Sequence, residues 1–182
     1  GVFDRVVNDI GVTTTSFKAT DLVIVANQIK SIGGIERKRR ITQITEVRKH
    51  WKNDPMLENG FADLFKYDSK SDELVPTDDL INGDSDVLKL IASNVPEFAG
   101  DWDAMWQNIE MRGKLKAMQV DYANKTKNPD LLEADFTIRC NDKMHLLSEK
   151  VKREVGSSDP KRIMTEWEIW LKSELKKRGM ER

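Results

Sequence analysis

Residues 21–47 restrict the fold more than any other stretch of the chain. Leu22-Val23-Ile24-Val25-Ala26 is an unbroken apolar run, opened by Asp21 and extended to Lys30. Such a run predicts a strand over 21–30 buried on both faces, as in the sheet of an α/β domain. Ser31-Ile32-Gly33-Gly34 supplies a glycine turn, and the chain returns from Ile35 to about His50 with β-branched and polar residues alternating. Period-two alternation places Arg40, Thr42, Ile44 and Glu46 on one face and Ile41, Gln43, Thr45 and Val47 on the other. The pair reads as a β-hairpin whose second strand carries the basic cluster Arg37, Lys38, Arg39 and Arg40.

Around this hairpin the chain changes character. Residues 2–9 read as the end of a helix, with Gly11 as its C-cap. Asn53-Asp54-Pro55 is a breaker. Phe61 to Tyr67 alternates at period two, and after the polar turn Asp68 to Asp72 the segment Glu73-Leu74-Val75 returns as a second hairpin. Past Pro76 the β signals end. Asp84-Ser85 runs into an N-cap, and Val87, Leu88, Ile91 and Val95 give the next helix one apolar face. A longer helix from Asp101 carries Trp102, Met105, Trp106, Ile109, Met111, Leu115, Met118 and Tyr122, with Gly113 as a candidate bend. Leu132, Phe136, Cys140, Met144, Leu147, Val151 and Val155 then recur at spacings of three and four. Gly156 to Pro160 joins that helix to a last one striped by Ile163, Trp167, Trp170, Leu171 and Leu175 and closed by Lys176, Lys177 and Arg178. So short a joint implies an antiparallel helical hairpin. The expected architecture is α+β, with a β-rich part over 1–76 and a helical part over 77–182.

Charge is balanced in total, at −1, but not along the chain. Arg37, Lys38, Arg39, Arg40, Arg48, Lys49 and Lys52 crowd one stretch, and the following fifty or so residues are rich in aspartate, including Asp63, Asp72, Asp78 and Asp84. Opposite charges in successive segments either face each other, face a partner, or lie apart in solvent. The one cysteine, Cys140, excludes an internal disulfide and fits a reducing compartment. No apolar run reaches the ~18–20 residues a spanning helix needs, and no signal-peptide pattern is present. The chain opens on Gly1 directly in helical sequence, which suggests a piece of a longer protein.

No motif supplies catalysis. The only Gly-Lys pair, Gly113-Lys114, has Asn108 where a phosphate-binding loop needs glycine and Leu115 where it needs a hydroxyl. Asp78, Asn82 and Gly83 suggest a calcium loop, but Leu80 and Lys89 occupy ligand positions, so a turn and helix cap is the better reading. Cys140 and His145 do not complete a zinc site, Cys140 reads as core, and His50 has no triad around it. The basic strand lacks interleaved aromatics and the pI is 6.2, which argues against a dedicated nucleic-acid binder. Trp102, Trp106, Trp167 and Trp170 read as packing residues. Catalytic, nucleotide-binding and metal residues are therefore expected to be absent from this chain.

An ordered set of elements in the first fifty residues carries a resemblance. Asp4-Arg5 lies in a helix, Gly11-Val12 and Ser16-Phe17 bracket small residues in a turn, Asp21 opens the apolar strand, and Arg39-Arg40 and Thr45-Glu46-Val47 mark the basic one. This order resembles the type II/IV secretion ATPases, hexameric RecA-like motors of protein transport and of type IV pilus and archaeal filament assembly. Beyond residue 50 the archaeal members look similar in their charged, helical C-terminal extension. The resemblance implies that the hairpins complete part of a RecA-like sheet whose ATP- and magnesium-binding motifs lie upstream of Gly1. It further implies a cytoplasmic protein held at the inner membrane face by partners. Those partners would be the upstream ATPase core, neighbouring subunits of a homo-hexamer and a membrane platform protein, with no nucleic acid and no direct span. Arg37, Arg39, Arg40 and Glu46 are the implied interface positions, with Arg40 and Glu46 open to a purely structural role. The alternative is a stand-alone α+β interaction module.

Overall fold

The computed structural model describes residues 1–30 and 37–177. It is α+β and divides into two compact units, Gly1–Trp102 and Asp103–Arg182. The divide falls later than 76/77 because two short helices follow the strands and close onto them.

In the first unit both hairpins form. Strands β1 (Leu22–Lys30), β2 (Arg37–Val47), β3 (Phe61–Asp68) and β4 (Glu73–Pro76) make one antiparallel sheet in the order β1-β2-β3-β4. The glycine turn Ser31 to Gly34, like Arg178, lies outside the described residues. β1 departs from expectation. It is the outer strand, not a strand buried on both faces, and Leu22 and Ile24 are 39% and 58% exposed. An apolar run records what a strand is suited to pack against, and in this unit only one of its faces is partly covered.

The division of β2 into faces also changes. Val25 pairs with Gln43 but Ala26 pairs with Ile41, so Thr42 is skipped. Such a bulge shifts the alternation by one residue. By register, Arg40 opposite Asn27 shares the face of Val25 and Gln43, not that of Ile44 and Glu46. A second shift between Ile44 and Thr45 leaves Leu64 without a partner on β2.

One face of the sheet is covered by the N-terminal segment. Asp4–Asp9 is wound as a π-helix, and Gly11 follows at φ +83°, a conformation that favours glycine. Helix α1 (Thr14–Phe17) is capped by the Thr13 hydroxyl, which accepts from Ser16 N. Phe17, Val47 and Trp51 form the buried cluster here, with Phe3, Val6, Val7, Val23 and Phe61 against it. Phe3 meets Phe17 and Trp51 edge-on, with ring centroids 5.2 and 5.7 Å apart.

After β4, Thr77 caps α2 (Asp78–Ile81) and Ser85 caps α3 (Asp86–Ser93). Leu80 and Leu64 are buried. The segment that suggested a calcium loop is a capped helix and a turn at Gly83, whose φ is +90°. The expected apolar face of α3 is partly covered: Val87 and Leu88, with Val95 just past the helix, are half-buried, whereas Ile91, like its neighbour Leu90, is exposed, and Ala92 is the buried residue.

The second unit is helical. Helix α4 (Trp102–Thr126) passes unbroken through Gly113, a 3-10 turn follows at Pro129–Leu132, and α5 (Ala134–Val155) and α6 (Pro160–Lys177) complete it. Gly156, at φ +82°, ends α5 by donating its N–H to Lys152 O. The α5–α6 pair is the expected antiparallel hairpin: Trp167 Nε1 donates to Cys140 O at 2.9 Å, and Arg139 reaches back to Glu174. Phe136, Cys140, Met144, Leu147 and Val151 are buried against Ile163, Trp167, Leu171 and Leu175. The stripe is shorter than its sequence, because Leu132 falls in the 3-10 turn and Val155 in the last turn, both exposed. Trp170 stacks on Phe136, and Trp167 is wholly enclosed.

Candidate interaction surface on the sheet

The surface begins at the free edge of β1. Among the described residues no strand pairs with its outer side. Proteins blunt such edges with proline, inward charges or edge lysines. From Leu22 to Val25 β1 has none of these. On one face Leu22 and Ile24 stand exposed, and Ile44 and Phe65 continue the apolar strip as half-buried neighbours. On the other face lies an open cavity of about 550 Å³, walled by Phe3, Val23, Val25, Met56 and Phe61.

A polar network forms the cavity's floor. Gln43 Nε2 and Thr45 Oγ1 donate to Asp63 Oδ1 at 2.6 and 2.7 Å, and Lys66 pairs with Oδ2 at 3.0 Å. Burial alone would raise the Asp63 carboxyl, but the bonds from Thr45, Gln43 and Lys66 outweigh it and hold the group below its ordinary value.

The four residues singled out from the sequence separate into different jobs. Arg40 grips Asp72 with both edge nitrogens, Nε to Oδ1 at 2.9 Å and Nη2 to Oδ2 at 2.8 Å. Tyr67 donates to the same carboxylate at 2.8 Å, and Lys38 lies 3.7 Å away. Arg40 first, then Tyr67, holds Asp72 far below the usual carboxylate range. Asp72 sits at φ +56° in the β3–β4 turn, so Arg40 clasps the second hairpin and is not a free interface cation. Glu46 is fully buried. Its Oε2 accepts from Ser85 Oγ at 2.5 Å and its Oε1 from Asp86 N at 2.9 Å, which fixes the start of α3 to the sheet. Arg37 and Arg39 are exposed on β2 and remain available to a partner.

The uneven charge resolves largely inside this unit. Besides Arg40 and Asp72, Arg48 pairs with Asp84 at 2.8 Å, and Lys49 with Asp21 at 3.0 Å. Sequence reading missed three further determinants. Trp51 is buried beneath Lys18, whose Nζ lies 4.4 Å from the ring centroid and also bonds Trp51 O. Glu58 accepts from the backbone N–H of Lys52, Asn53 and Asp54, each at 2.8 Å, and those bonds hold its carboxyl below its ordinary value. Gly60 leaves no room for a side chain: a Cβ would lie 2.5 Å from Trp51 Cδ1 and 2.8 Å from Pro55 Cα. The only early signal was the Asn-Asp-Pro breaker, which marks a loop but not what the loop encloses.

The Gly113-Lys114 pair does not form a phosphate-binding loop. Gly113-Lys114 lies inside α4, where Lys114 pairs with Glu110 and the helical backbone offers no loop to cradle phosphates. Among the described residues no group of three or more His, Cys, Asp or Glu is placed to hold a metal ion. Cys140 is buried, His50 Nε2 contacts Glu58 O, and His145 Nε2 contacts Arg112. Among the described residues no helix is long and apolar enough to cross a membrane. No protein-family model, curated protein or solved structure matches the chain.

Proposed function

We propose that this chain is the closing, non-catalytic part of a secretion or filament-assembly ATPase of the type II/IV secretion family. The observation that carries the reading is the ordered set Asp4-Arg5, Gly11-Val12, Ser16-Phe17, Asp21, Arg39-Arg40 and Thr45-Glu46-Val47. The unpaired apolar edge of β1 supports it, because in such a motor that edge continues the sheet of the upstream ATP-binding core. Arg37 and Arg39 then face neighbouring subunits, and ATP and magnesium belong to the core, not to these residues. Attachment to the inner membrane face comes through a platform protein.

The rival reading, a stand-alone interaction module, draws on the exposed Leu90 and Ile91 of α3. Two measurements separate them. The coding sequence upstream of Gly1 should contain a G-x-x-x-x-G-K-[ST] motif within about two hundred residues, and an unrelated sequence there would favour the module. The purified chain should show no magnesium-dependent ATP turnover; measurable hydrolysis would refute the assignment.

A further inference from the structure

The helical unit holds a second polar feature, independent of the sheet. A half-open cavity of about 40 Å³ lies among α4, α5 and α6, lined by Arg112, Lys116, Gln119, Thr137, Cys140 and Asn141 together with apolar neighbours. That volume takes roughly three water molecules. Among the described residues no carboxylate lines it.

The cations of the unit divide into paired and unpaired ones. Lys114, Arg139, Lys150, Arg162, Lys172 and Lys177 each have a glutamate partner. Lys127, Lys143 and Lys161 have no acidic partner among the described residues. Nor do Arg112 and Lys116, although they sit one helical turn apart, where like charges repel. Arg112 Nη2 instead lies 3.2 Å from His145 Nε2. A guanidinium only donates, so the imidazole nitrogen accepts. Arg112 Nε is buried and has no hydrogen-bond partner among the described residues. Nε and Nη2 form the edge that grips an oxyanion bidentately, as Arg40 does with Asp72 in the same chain. On Arg112 that edge carries a neutral ring on one nitrogen and no described partner on the other.

We infer that this cavity is a site for a phosphate group, free or as a monoester, held by Lys116 and by Arg112, whose side chain turns to present its now buried Nε–Nη2 edge, with Asn141 also lining the site. Two uncompensated cations match a dianion, and the half-open shape leaves the remaining oxygens in solvent. Binding gives Arg112 Nε its acceptor and draws Nη2 away from His145.

The test is an NMR titration of the 182-residue chain with sodium phosphate at constant ionic strength, following the Arg112 Nε–Hε and His145 ring signals. Saturable shifts of both are expected, with Lys116→Met weakening binding about tenfold and Arg112→Met abolishing it. Lys116 is exposed, so its variant keeps the fold, and dispersed amide spectra check both. Glycerol phosphate binding as well shows that the site reads the phosphate head; binding of inorganic phosphate alone restricts the ligand to the free ion. Shifts that acetate or chloride reproduce at equal concentration would overturn the proposal. So would phosphate binding unchanged in a folded Lys116→Met variant.

Discussion

The sheet unit and the helical unit close their cores to different degrees. In the helical unit the apolar stripes of α4, α5 and α6 close on one another, and Val151, Ile163, Leu171 and Leu175 have no solvent exposure. In the sheet unit the aromatic cluster buries only Phe17, Val47 and Trp51 completely; exposed apolar side chains occur in both units, Leu22, Ile24, Leu90 and Ile91 in this one and Ile138, Leu146 and Ile169 in the helical one. Helices satisfy their own backbone hydrogen bonds, so a helical hairpin needs only side-chain partners, which the sequence supplies nearby. A strand takes its backbone hydrogen bonds from neighbours, and an edge strand leaves a row of N–H and C=O groups open to water or a partner. Among the described residues β1 has no neighbour on its outer edge and only part of a layer, so the sheet unit is where a partner has most to gain.

The sharpest way to break this contrast is to open the helical core. Trp167→Ala removes a fully packed ring and its bond to Cys140 O, and should cost about 3–5 kcal/mol in denaturant unfolding followed at helical-unit amides. A cost below 1 kcal/mol would show that the core is not as closed as described. Gly60→Ala should destabilise the sheet unit by about 1–3 kcal/mol, because the clash involves the Pro55 backbone and not only a movable side chain. Hydrogen exchange in β2 and β3 should accelerate while α5 and α6 stay protected; acceleration in both units would join what the comparison separates.

Glu46→Ala leaves the Ser85 hydroxyl and Asp86 N–H without their acceptor and should cost about 1–3 kcal/mol, seen first as loss of protection in α3. A smaller effect comes from acid. Asp72 in the sheet unit and Glu166 in the helical unit both have folded values below their unfolded ones, the first through Arg40 and Tyr67, the second through Lys150 and Arg162. Their contribution is therefore complete above the unfolded values near pH 4 and is lost as pH falls through the folded ones. Asp72→Asn should flatten the acid limb of the sheet-unit unfolding curve and leave that of the helical unit unchanged. Last, Ile24→Lys should alter stability by no more than about 0.5 kcal/mol, since the side chain is largely solvated. If β1 is an open edge, the same change should reduce self-association in sedimentation; no change in an already associating chain would remove β1 from the interface.

Much of this was legible one residue at a time. The α+β class, both β-hairpins, the α5–α6 pair with its Gly156 stop and the Ser85 cap all follow from local periodicity and turn chemistry, where neighbours in sequence decide the outcome. The absence of a phosphate loop at Gly113-Lys114 was equally local. What the sequence could not show were relations between distant positions. The skipped Thr42 moved Arg40 to the other face, and only then could Asp72, thirty-two residues on, claim it. Glu46 read as an interface position open to a structural role, and only the turn before α3 made it a buried acceptor. Arg112 and Lys116 were two ordinary helical cations until α5 brought His145 and Asn141, and no carboxylate among the described residues, beside them. Periodicity tells a residue which way to face along its own element, because that is set by backbone geometry. What it meets there is set by loop closure and packing between elements, and only the folded chain decides it.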